Sequence, residues 1–251
     1  MTPQEVRIYG DPAALADAVA ARLLAAIAAR QSVKGSAAVC LTGGGIGIAA
    51  LRSVSQSPLR THVDWGAVHL WWGDERFLPS NHPDRNETQA RLALIDGLPV
   101  RPERVHAMPS SDRAASLEAA VSSYSRELLA SADGDQPGAG PSFDVVLLGI
   151  GEDAHVASLF PGAPAVAETR AGVAAVRDAP KPPPVRVTLT LPTICAAREV
   201  WLLACGEGKA EAVAQTLTSD DPSRAPASAA RGRERTLLLI DEDAAALVDR
   251  G

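Results

Sequence analysis

The chain has 251 residues, with 24 lysines and arginines against 30 aspartates and glutamates, a formal net charge of −6 and 46% hydrophobic residues. This is a globular composition, long enough for one domain over residues 1–251, and too acidic for a surface that displaces counterions from a nucleic acid. Cys40, Cys195 and Cys205 include no C-x-x-C pair, so neither a disulfide framework nor a zinc site is indicated, and no apolar run is expected to reach the roughly 20 residues that cross a bilayer.

Val6 to Tyr9 reads as a first short strand. The Ala/Leu-rich stretch from Asp11 to Arg30, with Pro12 suited to a first turn, reads as a helix. Ala37 to Leu41 is an apolar run that stops at Thr42-Gly43-Gly44-Gly45, and a helical pattern follows through Leu51. A second run, Ala67 to Trp72, stops at Gly73-Asp74-Glu75-Arg76. Asn86 to Ile95 reads as a helix capped by Asn86, and Ser111-Asp112 is expected to cap a long helix reaching Ala132. Asp133 to Pro141 reads as a surface loop. The run Phe143 to Gly151 leads into Glu152-Asp153-Ala154-His155 and a short helical pattern ending at Pro161-Gly162. Lys181-Pro182-Pro183-Pro184 is a stiff connector, because each proline fixes φ and lacks a donor. Strands at 186–191, 200–205 and 237–240, a helix from Gly208 to Leu217 and a closing helix from Asp241 complete the pattern.

Continuous apolar runs separated by helical segments are characteristic of strands covered on both faces, so the fold class is α/β with a mainly parallel sheet between helices. Ligands of such sheets bind beyond the carboxyl ends of the strands. Three polar strand ends, at Thr42–Gly45, Gly73–Arg76 and Gly151–His155, therefore predict a composite pocket.

The glycine loop leaves backbone N–H groups at a helix start, where a phosphate is favoured; a tight turn with no ligand has the same pattern. Gly45-Ile46-Gly47-Ile48-Ala49-Ala50 matches the dinucleotide fingerprint only weakly, since Asp74 lies 29 positions after Gly45 where the pattern needs roughly 20. Asp74 and Arg76 would give a sugar-hydroxyl acceptor and a planar phosphate fork, although charges after a strand are ordinarily a solvated rim. Trp71 and Trp72 read as core. His155 stands out among the five histidines because it follows a Gly-x-Gly strand exit and two carboxylates. A neutral imidazole there can take a proton from water. His69 reads as structural, and His62, His82 and His106 as loop residues. Lys181, Arg186 and Lys209 are candidate cations for an anionic ligand. A serine-hydrolase elbow and zinc-binding histidine pairs are lacking.

Leu41 to Gly45, Trp72 to Arg76, Asn86, Gly149 to Pro161 and Lys181 to Thr190 resemble, in that order, the motifs of the 6-phosphogluconolactonases, within the glucosamine-6-phosphate isomerase/6-phosphogluconolactonase family. The resemblance runs from the first strand to the last. It implies a modified Rossmann-like (NagB/RpiA/CoA transferase-like) fold. It also implies hydrolysis of 6-phospho-D-glucono-1,5-lactone in the oxidative pentose phosphate pathway, without metal or cofactor. Carried over by motif, His155 is the general base, Asp74 and Asp153 join it as catalytic residues, and Thr42, Gly43, Gly44, Gly45, Arg76, Lys181 and Arg186 bind the substrate phosphate. The chain departs from the family at Ala154, where glycine is usual, and at Val156, where threonine is usual; an alanine there requires a negative φ. The implied partner is a small sugar-phosphate lactone, met in the cytoplasm by a monomer or weak homodimer. The alternatives are a glucosamine-6-phosphate deaminase with Asp153 as base and a non-enzymatic sugar-phosphate-binding domain.

Overall fold

The computed structural model describes residues 4–131 and 142–249, so the stretch read as a surface loop at 133–141 lies outside the described residues. Six parallel strands form the main sheet in the order β1-β9-β8-β5-β2-β3. They are β1 (Gln4–Tyr9), β2 (Ala37–Leu41), β3 (Val68–Trp72), β5 (Val145–Gly149), β8 (Glu199–Ala204) and β9 (Arg235–Asp241). A second, antiparallel sheet of β4 (Asp74–Arg76), β7 (Arg186–Leu189) and β6 (Val173–Val176) lies beside it.

The apolar runs behave as their patterning requires. Val145 and Leu147 of β5 enter one core with Val39 and Leu41, while Val146 and Leu148 enter the other with Cys40. Alternate residues of each central strand thus bury against opposite layers, which is why these strands lack a polar face. Helices α1 (Pro12–Lys34), α2 (Gly44–Gln56) and α3 (Asn86–Ala93) belong to one layer; α4 (Leu117–Ala130), α5 (Leu191–Cys195), α6 (Ala210–Thr218) and α7 (Pro226–Ala229) belong to the other.

α1 has conventional ends: Asp11 accepts from the Ala14 N–H at 2.8 Å, Pro12 opens the first turn and Gly35 closes it at φ 74. At 23 residues it is long and apolar enough to cross a membrane, against the expectation that no run would be. It is nonetheless a core helix: Leu15, Val19, Leu23 and Ile27 are buried on one face. Its alanines raise the mean hydropathy while leaving the opposite face free of large apolar side chains.

Several local expectations are corrected. Asn86 does not cap α3. The cap comes from a neighbouring strand, where the Glu75 carboxylate accepts from the N–H groups of Asn86 (2.7 Å) and Glu87 (2.8 Å). Glu75 is 1% exposed, so the Asp-Glu-Arg segment is no solvated rim; burial pushes its carboxyl up to about 7, against the lowering pull of Arg85 and the N–H donors. α4 begins at Leu117 behind the cap Ser116, whose hydroxyl accepts from Ala119; Ser111-Asp112 instead form a turn in which Asp112 accepts from the Ser80 N–H. Turns replace the helices expected after His155 and after Asp241. His106 lies in a loop, as expected, but is buried. It stacks on Trp71 with centroids 3.8 Å apart and hydrogen-bonds His69 and Glu127.

β3 is an edge strand, and its last peptide is satisfied by a side chain. The Tyr124 hydroxyl accepts from the Trp72 N–H (3.1 Å) and donates to the Trp72 carbonyl (3.2 Å), two residues before Asp74. Tyr124→Phe leaves both groups buried and unpaired and is expected to lower stability by about 1–3 kcal/mol. Urea unfolding checks this, and an unchanged midpoint would count against the role of the hydroxyl.

β2 and β5 are neighbours, but the chain winds outward from them in opposite directions, to β3 on one side and to β8 and β9 on the other. The switch point of the sheet therefore lies between the carboxyl ends of β2 and β5, at Leu41 and Gly149. A crevice opens there in folds of this kind.

Candidate active site

Thr42 spans the switch point, its hydroxyl accepting from the Gly149 N–H at 3.2 Å. After it, Gly43 is the N-cap of α2 and offers no side-chain acceptor, so the N–H groups of the first turn remain available to a ligand. Gly43 is required by a side chain: a Cβ there would lie 1.9 Å from the Asn86 Oδ1 atom.

The loop after β5 is pinned by backbone bonds. The Gly151 N–H donates to the His155 carbonyl at 2.9 Å, the Gly151 carbonyl accepts from Ala154 at 3.0 Å, and Ile150 bridges Val156. Closing the turn so tightly sets Ala154 at φ 59, in the left-handed region, contrary to the expected negative φ. That costs about 1–2 kcal/mol for a residue with a Cβ. Complete burial of Ala154 and Val156, and the bond from the Ala227 N–H to the Ala154 carbonyl, hold the turn closed.

This turn brings Asp153 and His155 together. The Nδ1 atom of His155 hydrogen-bonds the Asp153 carboxylate, and the ring packs on Phe160 with centroids 4.4 Å apart. The Nε2 atom has no protein partner among the described residues. Burial would raise the Asp153 carboxyl, but the hydrogen bond and charge of His155, with a smaller pull from Lys181, hold it down at about 2. An ionised Asp153 accepts only, so the proton of a neutral His155 stays on Nδ1 and Nε2 keeps its lone pair. Because the folded value lies below the ordinary 3.8, the Asp153 contribution to stability is present above about pH 4 and lost as pH falls towards 2. Asp153→Asn is therefore expected to flatten the acid limb of stability in that window, as thermal melts at successive pH values would register; a limb of unchanged slope would contradict it.

Asp74 sits elsewhere in the same site, without touching His155. Its carboxylate accepts from the Ser158 hydroxyl (2.5 Å) and the Asn86 amide (3.1 Å) and lies 3.8 Å from Arg186. Asn86, anticipated as a cap and as one of the family motifs but given no role, and Ser158, anticipated only as part of the Gly149 to Pro161 motif, are thus parts of the site. Their contacts with Asp74 span 12 and 84 positions, so no local pattern could signal the pairing.

One cavity of about 160 Å³ is lined by Thr42, Gly43 and Gly44 from the first strand end, Asp74, Arg76 and Asn86 from the second, and Gly151 and His155 from the third. Lys181, Arg186 and Lys209 complete its cationic wall. Of the anticipated residues, Gly45 lines a larger adjoining groove that shares Gly44 and Arg76, and Asp153 lies behind His155. Lys181 and Lys209 form no ion pair among the described residues. Burial and then the charge of Lys181 hold the Lys209 ammonium below its ordinary pKa, although Glu152 and Asp153 oppose this. Two like charges sharing a wall are relieved by an anion between them.

An imidazole backed by a carboxylate, facing cations across a strand-end crevice, defines the class: an α/β enzyme for a small anionic substrate. The family model for glucosamine-6-phosphate isomerases/6-phosphogluconolactonase matches residues 10–239, and the chain belongs to this family. It is 51% identical to a 6-phosphogluconolactonase of Streptomyces coelicolor, over 99% of this chain and 96% of that protein. It also superposes on the 6-phosphogluconolactonase of Trypanosoma brucei with a TM-score of 0.84, at 25% identity, covering 99% of this chain and all of the other. A monomeric glucosamine-6-phosphate deaminase shares the fold at a TM-score of 0.79 and 23% identity, over 97% of this chain and 100% of the deaminase.

Proposed function

We propose that the chain hydrolyses 6-phospho-D-glucono-1,5-lactone to 6-phospho-D-gluconate, with His155 as the base. The observation that carries this reading is the Asp153–His155 pair, whose imidazole rather than carboxylate lines the cation-walled cavity. The relatives named 6-phosphogluconolactonase supply the substrate.

The 6-phosphate docks on the first turn of α2, Thr42 to Gly45, and on Arg76, with Lys181 and Lys209 closing over it. Binding of this remote group positions the lactone carbonyl beside His155. The Nε2 atom takes a proton from water as the oxygen attacks C1. The oxyanion is stabilised by N–H donors or a cation of the wall, each well-placed donor being worth about 3–4 kcal/mol. The imidazolium, steadied by Asp153, then returns its proton to the leaving ring oxygen as the C1–O bond breaks. Asp74, held by Asn86 and Ser158, serves the sugar hydroxyls. The whole chain acts as one cytoplasmic domain, monomeric or weakly dimeric.

The deaminase reading needs Asp153 free to shuttle protons, whereas its carboxylate is bound to His155 behind the cavity wall. A coupled assay decides between them. Faster formation of 6-phosphogluconate from freshly generated lactone than by spontaneous hydrolysis is expected. Ammonia release from glucosamine 6-phosphate without lactone turnover would overturn the proposal.

A further inference from the structure

The Arg186 guanidinium is buried, and its donors are already engaged. Nε donates to the Pro183 carbonyl at 3.0 Å, Nη2 to the Lys181 and Pro182 carbonyls at 2.7 and 3.4 Å, and Nη1 lies 3.8 Å from Asp74. Its plane lies over the Phe160 ring, 5.5 Å from the centroid. Of the five N–H donors of an arginine, only those on Nη1 are left for a ligand, and that nitrogen already stands as counter-charge 3.8 Å from Asp74, a buried carboxylate.

The three carbonyls belong to the connector between β6 and β7. Prolines at 182, 183 and 184 deprive that segment of N–H groups, so apart from the bond of the Ala179 N–H to the Pro184 carbonyl (3.0 Å) its carbonyls depend on donors from outside it. A planar fork holds three successive carbonyls in one fixed geometry, which a rotatable ammonium on a flexible stem does not impose. The residue at the head of the gathered segment is Lys181, whose side chain lines the cavity and makes no hydrogen bond or ion pair among the described residues.

We infer that Arg186 is a positioning residue: it folds the Lys181–Pro183 carbonyls onto one guanidinium and so aims the Lys181 ammonium at the ligand phosphate, without bonding that phosphate itself. This deepens the lactonase reading and depends on it for the identity of the ligand.

The test is a double-mutant cycle of the wild type, Arg186→Lys, Lys181→Ala and the double variant, each titrated calorimetrically with inorganic phosphate. Arg186→Lys and Lys181→Ala are each expected to weaken phosphate about tenfold, the loss of one charge-assisted bond. The double variant is expected to bind within about twofold of Lys181→Ala, because the two residues act through one ammonium. Multiplying losses, or full phosphate affinity in Arg186→Lys, would overturn the inference. Should Arg186→Lys fail to fold, Lys181→Ala still decides: unchanged phosphate affinity overturns the inference, and a tenfold loss supports it. The titration needs no turnover. A wild type without lactone hydrolysis would therefore sink the lactonase reading alone, whereas an additive cycle beside normal turnover would sink this inference alone.

Discussion

His155→Ala is expected to lower kcat for the lactone by about 10²–10⁴-fold, the usual share of a positioned general base. The affinity for inorganic phosphate is expected to stay nearly unchanged, because the ring makes no bond to the phosphate-binding loop and meets Asp153 and Phe160 instead. The two readouts separate a base from a ligand. Loss of a phosphate contact would raise KM and weaken phosphate, while loss of the base leaves binding intact and slows only the step in which water loses its proton. Steady-state kinetics with freshly generated lactone, beside a phosphate titration, give both. Near-normal turnover by His155→Ala would remove the proposed base and leave only the cavity.

The main sheet was legible because its central strands are buried on both faces, so each appears as an apolar run, as in Val145 to Leu148. The second sheet was not. β4 consists of Asp74, Glu75 and Arg76, and charged residues make a strand only because β7 pairs with them from more than 100 positions away, as in Arg76 with Arg186. The site was legible as three strand ends, since a parallel sheet sends them to one edge. What escaped was how Asp153 reaches His155. The helix expected after His155 leaves the conformation of residues 152–155 unspecified, and a pair two apart faces one another only in a particular turn. They meet because Ala154 takes a left-handed turn, a conformation its side chain disfavours and which only the surrounding backbone bonds enforce. The contacts of the asparagine and serine with Asp74 were hidden for the same reason as β4: their partner is distant in the chain.

That enforced turn makes Gly151 as consequential as His155. A Cβ at position 151 would lie 1.9 Å from Nδ1 of His155 and 2.6 Å from the Asp153 Oδ1 atom, distances no neighbour tolerates. The imidazole cannot simply give way. Its own carbonyl is bonded to the Gly151 N–H, its far face meets Phe160 and its Nδ1 atom is held by Asp153. Gly151→Ala must therefore break the acid–histidine pair. Displacement of the base by an ångström or so is expected to reduce kcat by about 10²-fold, with stability lower by about 1–3 kcal/mol from overpacking. If the methyl acts by displacing the ring, adding Gly151→Ala to His155→Ala costs no further turnover and much less stability, because the ring it would strike is gone. Kinetics and unfolding midpoints of the four proteins give the cycle. Full additivity in turnover would mean that Gly151 serves the site through its backbone alone, and that the imidazole owes its position to something other than the space beside it.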